Sequence, residues 1–518
     1  MNLNKSRRWL AGILMLSIAL SGVTGCAANK EGKANSSAGE EADPGEQTPM
    51  KLTVMLPSFK TTMPEDDSPV VTEIEKLTNT DIHLEWVPDS SYNEKFNITL
   101  ASGKIPGVML VKEKSPSFIN AVRAGAFWEM GPYLKDYPNL SQTSAIVNNN
   151  ISIDGKIYGI YRGRALGRNG IVYRKDWLDN LGLQAPQTID DFYQMLKAFT
   201  TGDPDQNGKD DTYGMVITKF NGPFEVMQTW FGAANKWGLD DTGKLIPAHT
   251  TEAYMEALRF FRKLYEEKLI NADFAVMDSS KWPDPIVNGQ AGALVDVTDH
   301  ANRIEEKIHA ALEKAGKDDE SKIFMDTIGA VSGPKGLRAL PTSGYSGLFA
   351  ISKSSVKTED QLRQVLNFLD KLNEEKGQRL AGNGIEGRHY TFVDGNLEAS
   401  KDEALLESEA SGLNQLLMYL PEDRTLKLKA SSVKQKSEAV QKANESIVVT
   451  NPAEPFVSDV YSQKGPQLDV IINDARTKFV VGQIDEDGFK AAVELWQKSG
   501  GVEYVKEINE LYQAASKQ

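Results

Sequence analysis

The sequence has little of the chemistry that common enzyme classes require. One of its 518 residues is cysteine, so no intramolecular disulfide can form. The five histidines are scattered, with no two spaced by three or four residues: His83, His249, His300, His309 and His389. The motifs HExxH, GxSxG and GxxxxGK[ST] are all absent. The sequence therefore gives no support for a zinc hydrolase, a serine hydrolase or a P-loop enzyme.

Two apparent catalytic signals are also weak. The string "GNGIEG" at 382–387 has GxGxxG spacing, but it follows a helical stretch, whereas a dinucleotide site follows a strand. We interpret it as a glycine-rich turn. The acidic pairs at 210–211 and 240–241 are adjacent in sequence, so their side chains do not face each other as a glycosidase dyad must.

Positive charge and long apolar runs are scarce. The formal net charge is −14, and it becomes more negative if Lys5, Arg7 and Arg8 are removed with a leader. Phosphate binding needs basic patches, so nucleic acid is not expected as a partner. No run of 18 apolar residues follows the first 25 positions, and we expect no transmembrane helix there.

The first 25 residues are typical of a secretory signal peptide. A basic head is followed by an apolar run over 9–20 and by Val23-Thr24-Gly25-Cys26, which resembles a bacterial lipobox. We predict that residues 1–25 are removed and that Cys26 carries lipid such as palmitate. The protein would then be anchored to the extracellular face of the cell membrane. The alternative is an ordinary signal peptide in which Cys26 is incidental.

Residues 26–49 are predicted to be a flexible tether. From Ala27 onward this segment is rich in Ala, Gly, Ser and Glu and contains no large apolar side chain before Met50. Such a segment cannot bury enough surface to offset the entropy lost on ordering.

Alternating strand and helix patterns follow. "KLTVMLP", "DIHLEWVP" and "GVMLV" are predicted strands, and an amphipathic helix with Ser68 as its cap and Pro69 at its first position lies between the first two. Two further helices complete a βαβαβα order, which predicts a parallel sheet covered by helices. The mature chain of about 470 residues is too long for one simple core and suggests two or more lobes.

The segment "TGDPDQNGKDDTYG" at 201–214 places oxygen ligands at alternate positions. Counting from Asp203 as position 1, the pattern of an EF-hand-like loop gives Asp203, Asp205, Asn207, the carbonyl of Lys209, and Asp211. Glycine 208 permits the sharp turn that such a loop needs. Position 12 is Gly214, where a true EF-hand has a bidentate glutamate. The alternatives are a structural calcium site and a carboxylate-rich turn.

Several strings resemble one family of proteins. They are "GKIYGI" (155–160), "YRKDWLDNLGL" (173–183), the capped helix and acidic loop at 188–214, "NGQAGAL" (288–294) and "GIEGRHY" (384–390). With the lipobox and the α/β body, their order resembles family 1 extracellular solute-binding lipoproteins of carbohydrate ABC importers. The similarity is to the LipO-type lipoproteins, which are related to alginate-binding proteins, and it covers nearly the whole mature chain.

The resemblance implies a fold and a function. The fold would be α/β and two-lobed, of the periplasmic-binding-protein type, with a hinge and an interlobe ligand cleft. It would be a monomeric receptor and not an enzyme, delivering an oligosaccharide to ABC permease subunits. The implied boundaries are 50–165 for the first lobe, 166–335 for the second, 336–420 for a return to the first, and 421–518 for a helical region packing across both. In the alginate-binding relatives, an acidic residue at position 10 completes the loop, where this chain has Thr212.

A sugar receptor needs flat rings and a few oriented polar groups. The chain has 8 Trp and 16 Tyr, and those in polar or glycine-rich surroundings are our candidate stacking platforms: Trp230, Trp237, Trp282 and Tyr345. Each of them has core packing as its alternative. Arg162 and Arg164 in "YRGRALGRNG" are candidate donors to sugar hydroxyls or to a uronate, with a solvated loop as the alternative.

Two other functions remain open at the level of sequence. One is a secreted carbohydrate-active enzyme, a lyase or a glycosidase, against which the missing catalytic motifs argue. The other is a peptide-binding lipoprotein on the same fold, because a fold does not fix its ligand.

Overall fold

A computed structural model describes residues 48–60, 62–278, 281–319, 321–420, 423–427 and 429–515. The predicted signal peptide, Cys26 and nearly all of the predicted tether lie outside these residues. Within them, none of the helices has the length and apolar character needed to cross a membrane.

The first lobe is built on a five-stranded sheet. Numbered along the chain, its strands have the order β2-β1-β3-β11-β4, with bounds Thr80–Pro88, Met50–Ser58, Val108–Val111, Tyr345–Ile351 and Ile160–Gly163. The helices of this lobe are α1 Pro69–Thr78, α2 Asp89–Ser102, α3 Pro116–Arg123, α4 Ala145–Ile151, α11 Glu359–Leu372, α12 Glu375–Asn383 and α13 Glu403–Glu409. A hairpin of β12 (Tyr390–Val393) and β13 (Asn396–Ala399) joins the last two helices.

Local signals explain where the first helices begin and end. The hydroxyl of Ser68 accepts the backbone N–H of Val71 at 3.3 Å, and Pro69 occupies the first helical position of α1, as the sequence predicts. Helix α2 ends at Gly103, which has a left-handed backbone with φ of 68°. The predicted β1-α1-β2-α2-β3-α3 order is confirmed.

The prediction of a parallel sheet holds for only part of the first lobe. Strand β1 pairs in parallel with β2 and β3, as βα units require. Strand β11 is antiparallel to both β3 and β4, so the sheet is mixed. The reason is topological: β11 enters from the second lobe and does not follow a crossover helix, so its direction is not constrained to be parallel.

The second lobe is built on a four-stranded mixed sheet. Its strands have the order β10-β5-β9-β6, with bounds Met325–Ile328, Asn169–Arg174, Ala291–Val297 and Tyr213–Met215. The helices that cover it are α5 Lys175–Asn180, α6 Ile189–Thr201, α7 Gly222–Trp230, α8 Glu252–Glu266, α9 Asp284–Val287 and α10 His300–Lys314. A small hairpin consists of β7 (Trp237–Leu239) and β8 (Leu245–Pro247).

Helix α6 shows how the sequence determines one of these elements. Thr188 accepts the N–H of Asp191 at 3.1 Å, and the Asp191 carboxylate accepts the N–H of Thr188 at 2.9 Å. This is the capping box predicted from the sequence. Phe192, Leu196 and Phe199 on the same helix are buried in the core of the second lobe.

Four helices form the C-terminal region: α14 Ser432–Asn444, α15 Asp459–Val480, α16 Glu486–Trp496 and α17 Val502–Ala515. The last two are separated where Gly500 adopts φ of 131°, a backbone conformation that glycine tolerates. Helix α15 ends in the core of the second lobe through Ala475, Phe479 and Val480. At its start, Asp459 pairs with Arg123 of α3 at 3.0 Å, so this helix contacts both lobes.

The segments that pass between the lobes are hydrogen-bonded to one another. The N–H of Arg164 donates to Gly344 at 3.0 Å, and the N–H of Thr342 donates to Leu166 at 2.9 Å. A third segment joins them, because Ala339 exchanges backbone hydrogen bonds of 2.9 Å with Ile447 and Val449. These paired crossings are the hinge of a two-lobed fold. The predicted lobe boundaries themselves stay a prediction.

Candidate ligand-binding site

A cavity of about 290 Å³ lies between the C-terminal helices and the second lobe. Five of the lining residues belong to helix α15. Two belong to α7, and a third is the residue that caps α7, Asn221. The wall consists of Asn221, Glu225, Gln228, Asn235, Lys236, Trp237, Pro247, Ala248, His249, Tyr254, Tyr461, Asp469, Ile472, Asn473, Arg476, Trp496 and Tyr504. We call this space the aromatic cavity.

Aromatic rings form much of the wall and pack on one another. Tyr461 and Tyr504 stack with 4.9 Å between centroids and 27° between planes. Trp237 meets the edge of Tyr504 at 5.1 Å and 90°. Tyr461 is 38 % exposed, so its ring is accessible from the cavity. Rings held in this way present flat apolar faces without further ordering cost, which suits the face of a pyranose.

Two residues of this wall each have a buried polar atom without a partner among the described residues. Gln228 is 4 % exposed, and its Oε1 makes no hydrogen bond among the residues that the structure describes. The Nε2 of His249 is likewise without a partner there, and its ring packs on Trp496 at 4.5 Å. Burial lowers the pKa of His249 to about 4, so its imidazole is neutral at physiological pH. Unsatisfied buried polar atoms are rare in folded proteins, so these two distinguish this wall.

Charged and hydroxyl groups complete the wall. The phenol of Tyr461 donates to Asp469 at 2.7 Å, and burial raises the pKa of Tyr461 above its usual range. Arg476 is 8 % exposed, and its Nη2 donates to Asn221 and, at 3.0 Å, to Asn473. The site therefore offers donors and acceptors at fixed positions around the rings.

A second cavity, of about 140 Å³, adjoins the first at the hinge. Glu225, Asn235 and Lys236 belong to the walls of both cavities. The rest of its wall comes from α4 of the first lobe and from the crossing segments: Ile146, Asn150, Leu166, Leu340, Pro341, Thr342, Ser343, Val448, Thr450, Asn451 and Glu454. We call it the hinge cavity. Together the two cavities form a cleft that extends from the C-terminal helices to the first lobe.

The structure separates the predicted stacking residues. Trp237 lies in the wall of the aromatic cavity. Trp230 is fully buried in the core of the second lobe and packs on Phe192 at 5.4 Å. Trp282 is also buried in that lobe, where its Nε1 donates to the carbonyl of Val216 at 3.0 Å. A role of Trp230 or Trp282 in ligand contact stays a prediction that these positions do not support.

The other predicted ligand residues lie in or near the hinge. Tyr345 is the first residue of β11 and packs against the core of the first lobe. Arg162 is buried, and its guanidinium donates to the carbonyls of Leu417 and Asn414 at 2.9 and 3.1 Å and to Gln415 Oε1 at 3.0 Å. Arg164 is exposed in a crossing segment, and partial desolvation lowers the pKa of its guanidinium. None of the three is in the wall of either cavity as described above.

The acidic loop after α6 gathers its side chains around Asn207. Both Asp205 and Asp211 accept hydrogen bonds from Asn207 Nδ2, at 2.7 and 3.2 Å. Asp203 accepts the N–H groups of Asn207 and Gly208 at 3.0 and 3.1 Å. Lys209 follows in the turn, where its N–H donates to Asn207 Oδ1. The loop thus brings three carboxylates and one amide close together.

The oxygen-rich donor set of this loop is the kind that calcium prefers. Thr212, at position 10, is buried, and its hydroxyl donates to the carbonyl of Phe199 at 2.8 Å. Among the described residues, no group of three or more His, Cys, Asp or Glu side chains is arranged to hold a metal by itself. Any cation here would also need the amide of Asn207 and the carbonyl of Lys209.

Sequence reasoning missed most of the cavity wall. Tyr461, Trp496 and Tyr504 come from C-terminal helices that are distant in sequence from the other wall residues, and His249 and Tyr254 flank the start of α8. The detectable signal was weak: Tyr461 is an aromatic residue in the first turn of α15, next to Val460 and before the polar residues that follow. Helical periodicity shows which face of a helix is apolar, but not which other element packs against that face. The residues of the cavity wall therefore could not be grouped from the sequence.

The fold and the cleft agree with comparisons to known proteins. Residues 60–379 match the family described as bacterial extracellular solute-binding protein. The lipoprotein LipO of Bacillus subtilis (strain 168) is 48 % identical over 524 residues, with 99 % of this chain and 100 % of LipO covered. The polygalacturonan/rhamnogalacturonan-binding protein YtcQ of the same strain is 34 % identical, covering 98 % of this chain and 99 % of YtcQ.

A solved structure supports the same fold. The extracellular solute-binding protein from Bifidobacterium longum subsp. infantis superposes with a TM-score of 0.66 and covers 90 % of this chain and 98 % of its own. The two sequences are 19 % identical, so the likeness speaks for the two-lobed fold alone. The fold expected from the sequence is confirmed.

Proposed function

The chain belongs to the bacterial extracellular solute-binding proteins, and on that premise we propose that it captures an oligosaccharide and delivers it to the permease of an ABC transporter. The observation that carries the proposal is the aromatic cavity. Its stacked tyrosines and Trp237 supply apolar faces, while Gln228 and His249 offer polar atoms without a partner among the described residues. This combination is what a sugar, with its apolar face and rim of hydroxyls, requires.

The names of the relatives support the same class of ligand. YtcQ is named for binding polygalacturonan and rhamnogalacturonan, and it aligns over nearly the whole chain. Both full-length relatives are named as a binding protein or a lipoprotein, in agreement with a receptor that does not turn over its ligand. We therefore propose no catalytic role.

Capture would involve both lobes. The aromatic cavity lies in the second lobe and the C-terminal helices, whereas α4 of the first lobe reaches only the hinge cavity. A ligand that fills both cavities would contact both lobes and favour a closed arrangement about the crossing segments. The permease could then distinguish loaded from empty protein by the positions of the lobes.

The proposal includes a lipid anchor on Cys26 at the extracellular face of the membrane. The support is the lipobox-like sequence and the similarity to a lipoprotein over the full length. The body of the protein would act as a monomer, held to the membrane by the anchor and the tether.

We also propose that the loop at 203–211 binds a structural calcium ion. Asp203, Asp205, Asn207, Asp211 and the carbonyl of Lys209 would hold it. The convergence of three carboxylates on Asn207 supports this assignment. A divalent cation would neutralise those carboxylates and connect the end of α6 to β6, remote from the aromatic cavity.

The test is a ligand panel with two readouts. Purified protein is mixed with oligosaccharides of galacturonan, rhamnogalacturonan, galactan, xylan and fructan, and with mixed peptides as a control. Isothermal titration calorimetry measures binding, and chromatography of the same samples detects any product. We expect saturable binding of an oligosaccharide with no change in its chain length. Shortening of a sugar would instead establish an enzyme, and binding of peptides alone would establish a peptide receptor.

A further inference from the structure

Arg476 is a buried cation in the wall of the aromatic cavity. Its Nη2 donates to Asn221 and Asn473, and the guanidinium carbon lies 4.9 Å from the centroid of the Phe224 ring. Arg476 also lies beside the hydroxyl of Tyr254. Burial raises the pKa of this hydroxyl. All of these partners are uncharged, and no ion pair of the described residues includes Arg476.

A buried charge of this kind is unusual. Removing a guanidinium from water costs several kcal/mol, and proteins normally compensate with a carboxylate. Of the two other arginines that are equally buried, Arg174 pairs with Asp176 at 2.6 Å, whereas Arg162 is held by two carbonyls and an amide oxygen within the first lobe. Arg476 also has only neutral partners, but it differs from Arg162 in that it lines the aromatic cavity.

The other charges of the wall do not neutralise Arg476 directly. Asp469 lies two helical turns earlier on α15, about 10 Å along the axis, and accepts the phenol of Tyr461. Glu225 and Lys236 lie in the part of the wall that the two cavities share, and among the described residues neither forms an ion pair with Arg476. One face of α15 therefore presents a carboxylate at Asp469 and, two turns later, a guanidinium without an ion pair at Arg476.

We propose that Arg476 binds a carboxylate of the ligand, so that the protein selects acidic, uronate-containing oligosaccharides over neutral ones. This inference rests on the proposed function and specifies its substrate class. A guanidinium suits the role because its planar N–H groups match the two oxygens of a carboxylate. The rings of Tyr461 and Tyr504 are available for the face of a sugar in the same cavity.

The assignment differs from the sequence-based expectation. Arg162 and Arg164 were the candidates for a uronate, but the guanidinium of Arg162 is occupied by two carbonyls and Gln415 in the first lobe. Arg476 lies within a long helix without any glycine-rich or polar loop around it. Only the folded structure brings it to the cavity.

The experiment compares two ligands that have the same rings and linkages and differ only in whether their carboxyl groups are charged. Trigalacturonic acid and its fully methyl-esterified form have the same rings and linkages, and calorimetry gives the dissociation constant of each for the wild-type protein. We expect the acid to bind at least tenfold more tightly, with an advantage that shrinks as salt is added. Equal affinity for the acid and the ester would overturn the inference and leave the proposed function intact. Binding of neutral oligosaccharides only would do the same.

Variants test whether Arg476 is the residue that favours the acidic ligand. Arg476→Gln should reduce the preference for the acid to near unity, and Arg476→Lys should retain part of it. Arg162→Gln, at a buried arginine outside the cavity, should keep the wild-type ratio. Because the readout is a ratio between two ligands, partial loss of folded protein does not change it. If Arg476→Gln does not fold, Arg476→Lys tests the residue, and the ratio of the two affinities of the wild-type protein, with its salt dependence, tests the selectivity for acidic ligands. If no oligosaccharide binds the wild-type protein, the inference and the proposed function both fail.

Discussion

Tyr461 and Tyr504, 43 positions apart in the sequence, stack with 4.9 Å between ring centroids and 27° between ring planes. The pair joins the first turn of α15 to the first turn of α17, and Tyr461, which lines the cavity, is 38 % exposed. A flat surface is thus assembled from two helices before any ligand is present, which reduces the cost of binding.

Replacing Tyr461 should weaken ligand binding. Tyr461→Ala removes the exposed ring, and we expect about a tenfold loss of affinity, or about 1.4 kcal/mol. Tyr461→Phe keeps the ring, loses only the hydrogen bond to Asp469, and should bind within a fewfold of wild type. Calorimetry with the best ligand of the panel measures both. Equal losses in the two variants would show that the hydroxyl, and not the ring face, makes the contact.

Replacing Gln228 should separate stability from binding. Its Oε1 is buried without a partner among the described residues, which costs free energy in the empty protein. Gln228→Leu should leave the free energy of unfolding unchanged or raise it by up to about 1 kcal/mol, while ligand affinity falls about tenfold. Denaturant unfolding and calorimetry test the two effects. A variant that is less stable and binds normally would mean that Gln228 serves the fold alone.

The histidine in the cavity should make stability depend on pH. Folding lowers the pKa of His249 from its usual value near 6.5 to about 4. Between these values the unfolded chain binds the proton more readily, so stability is complete above pH 6.5 and is lost as the pH falls toward 4. His249→Gln should remove about 2 kcal/mol of that loss. Parallel curves of unfolding free energy against pH for the two proteins would contradict the assignment.

Calcium should stabilise the protein through the loop after α6. Protein treated with EDTA should gain about 2 °C or more in melting temperature when calcium is restored, because an ion that binds only the folded state adds stability by mass action. Asp205→Ala should abolish the shift. Asp240→Ala is the matched control, since Asp240 also accepts hydrogen bonds in an exposed turn, with Thr242 and Lys244. A calcium shift that survives in Asp205→Ala would place the ion elsewhere.

The hinge should not tolerate a methyl group at Gly329. An added Cβ there would overlap the amide oxygen of Asn444, whose Nδ2 donates to the carbonyls of Gly167 and Asn169, both at 2.9 Å. Gly329→Ala should therefore cost about 2 kcal/mol of unfolding free energy.

Gly131→Ala is the control for the hinge, because its new Cβ would meet Ile157 at 3.6 Å, an ordinary contact distance. Denaturant unfolding of both variants measures the difference. A Gly329→Ala protein as stable as the control would show that Asn444 moves aside without losing its hydrogen bonds.

Local sequence signals predicted the elements better than their assembly. The caps at Ser68 and Thr188 both occur as expected, because a cap acts within a few residues. The antiparallel direction of β11 could not be predicted from local signals, because it depends on the lobe from which the chain enters the sheet. Strand pairing across more than 180 residues leaves no local pattern.

The candidate site was harder to predict, for a physical reason. Of the candidate ligand residues only Trp237 lies in the aromatic cavity, while Trp230 and Trp282 fill the core of the second lobe. A tryptophan in the sequence can belong to a core or to a binding site. Only its burial in the folded protein distinguishes the two roles. Arg476 was missed because nothing in its own helix marks it; its meaning comes from neighbours on α7 and α8.

Helix α15 and the two helices after it lie beyond the segment at 60–379 that matches the family. Yet they carry Tyr461, Asp469, Arg476, Trp496 and Tyr504, and thus much of the cavity wall. The wall is therefore assembled from two stretches of the chain, one inside the matched segment and one beyond it. A chimera that receives residues 459–515 of a relative should change one side of the wall and keep the other, provided that the relative's residues at 479 and 489 fill the core as Phe479 and Phe489 do.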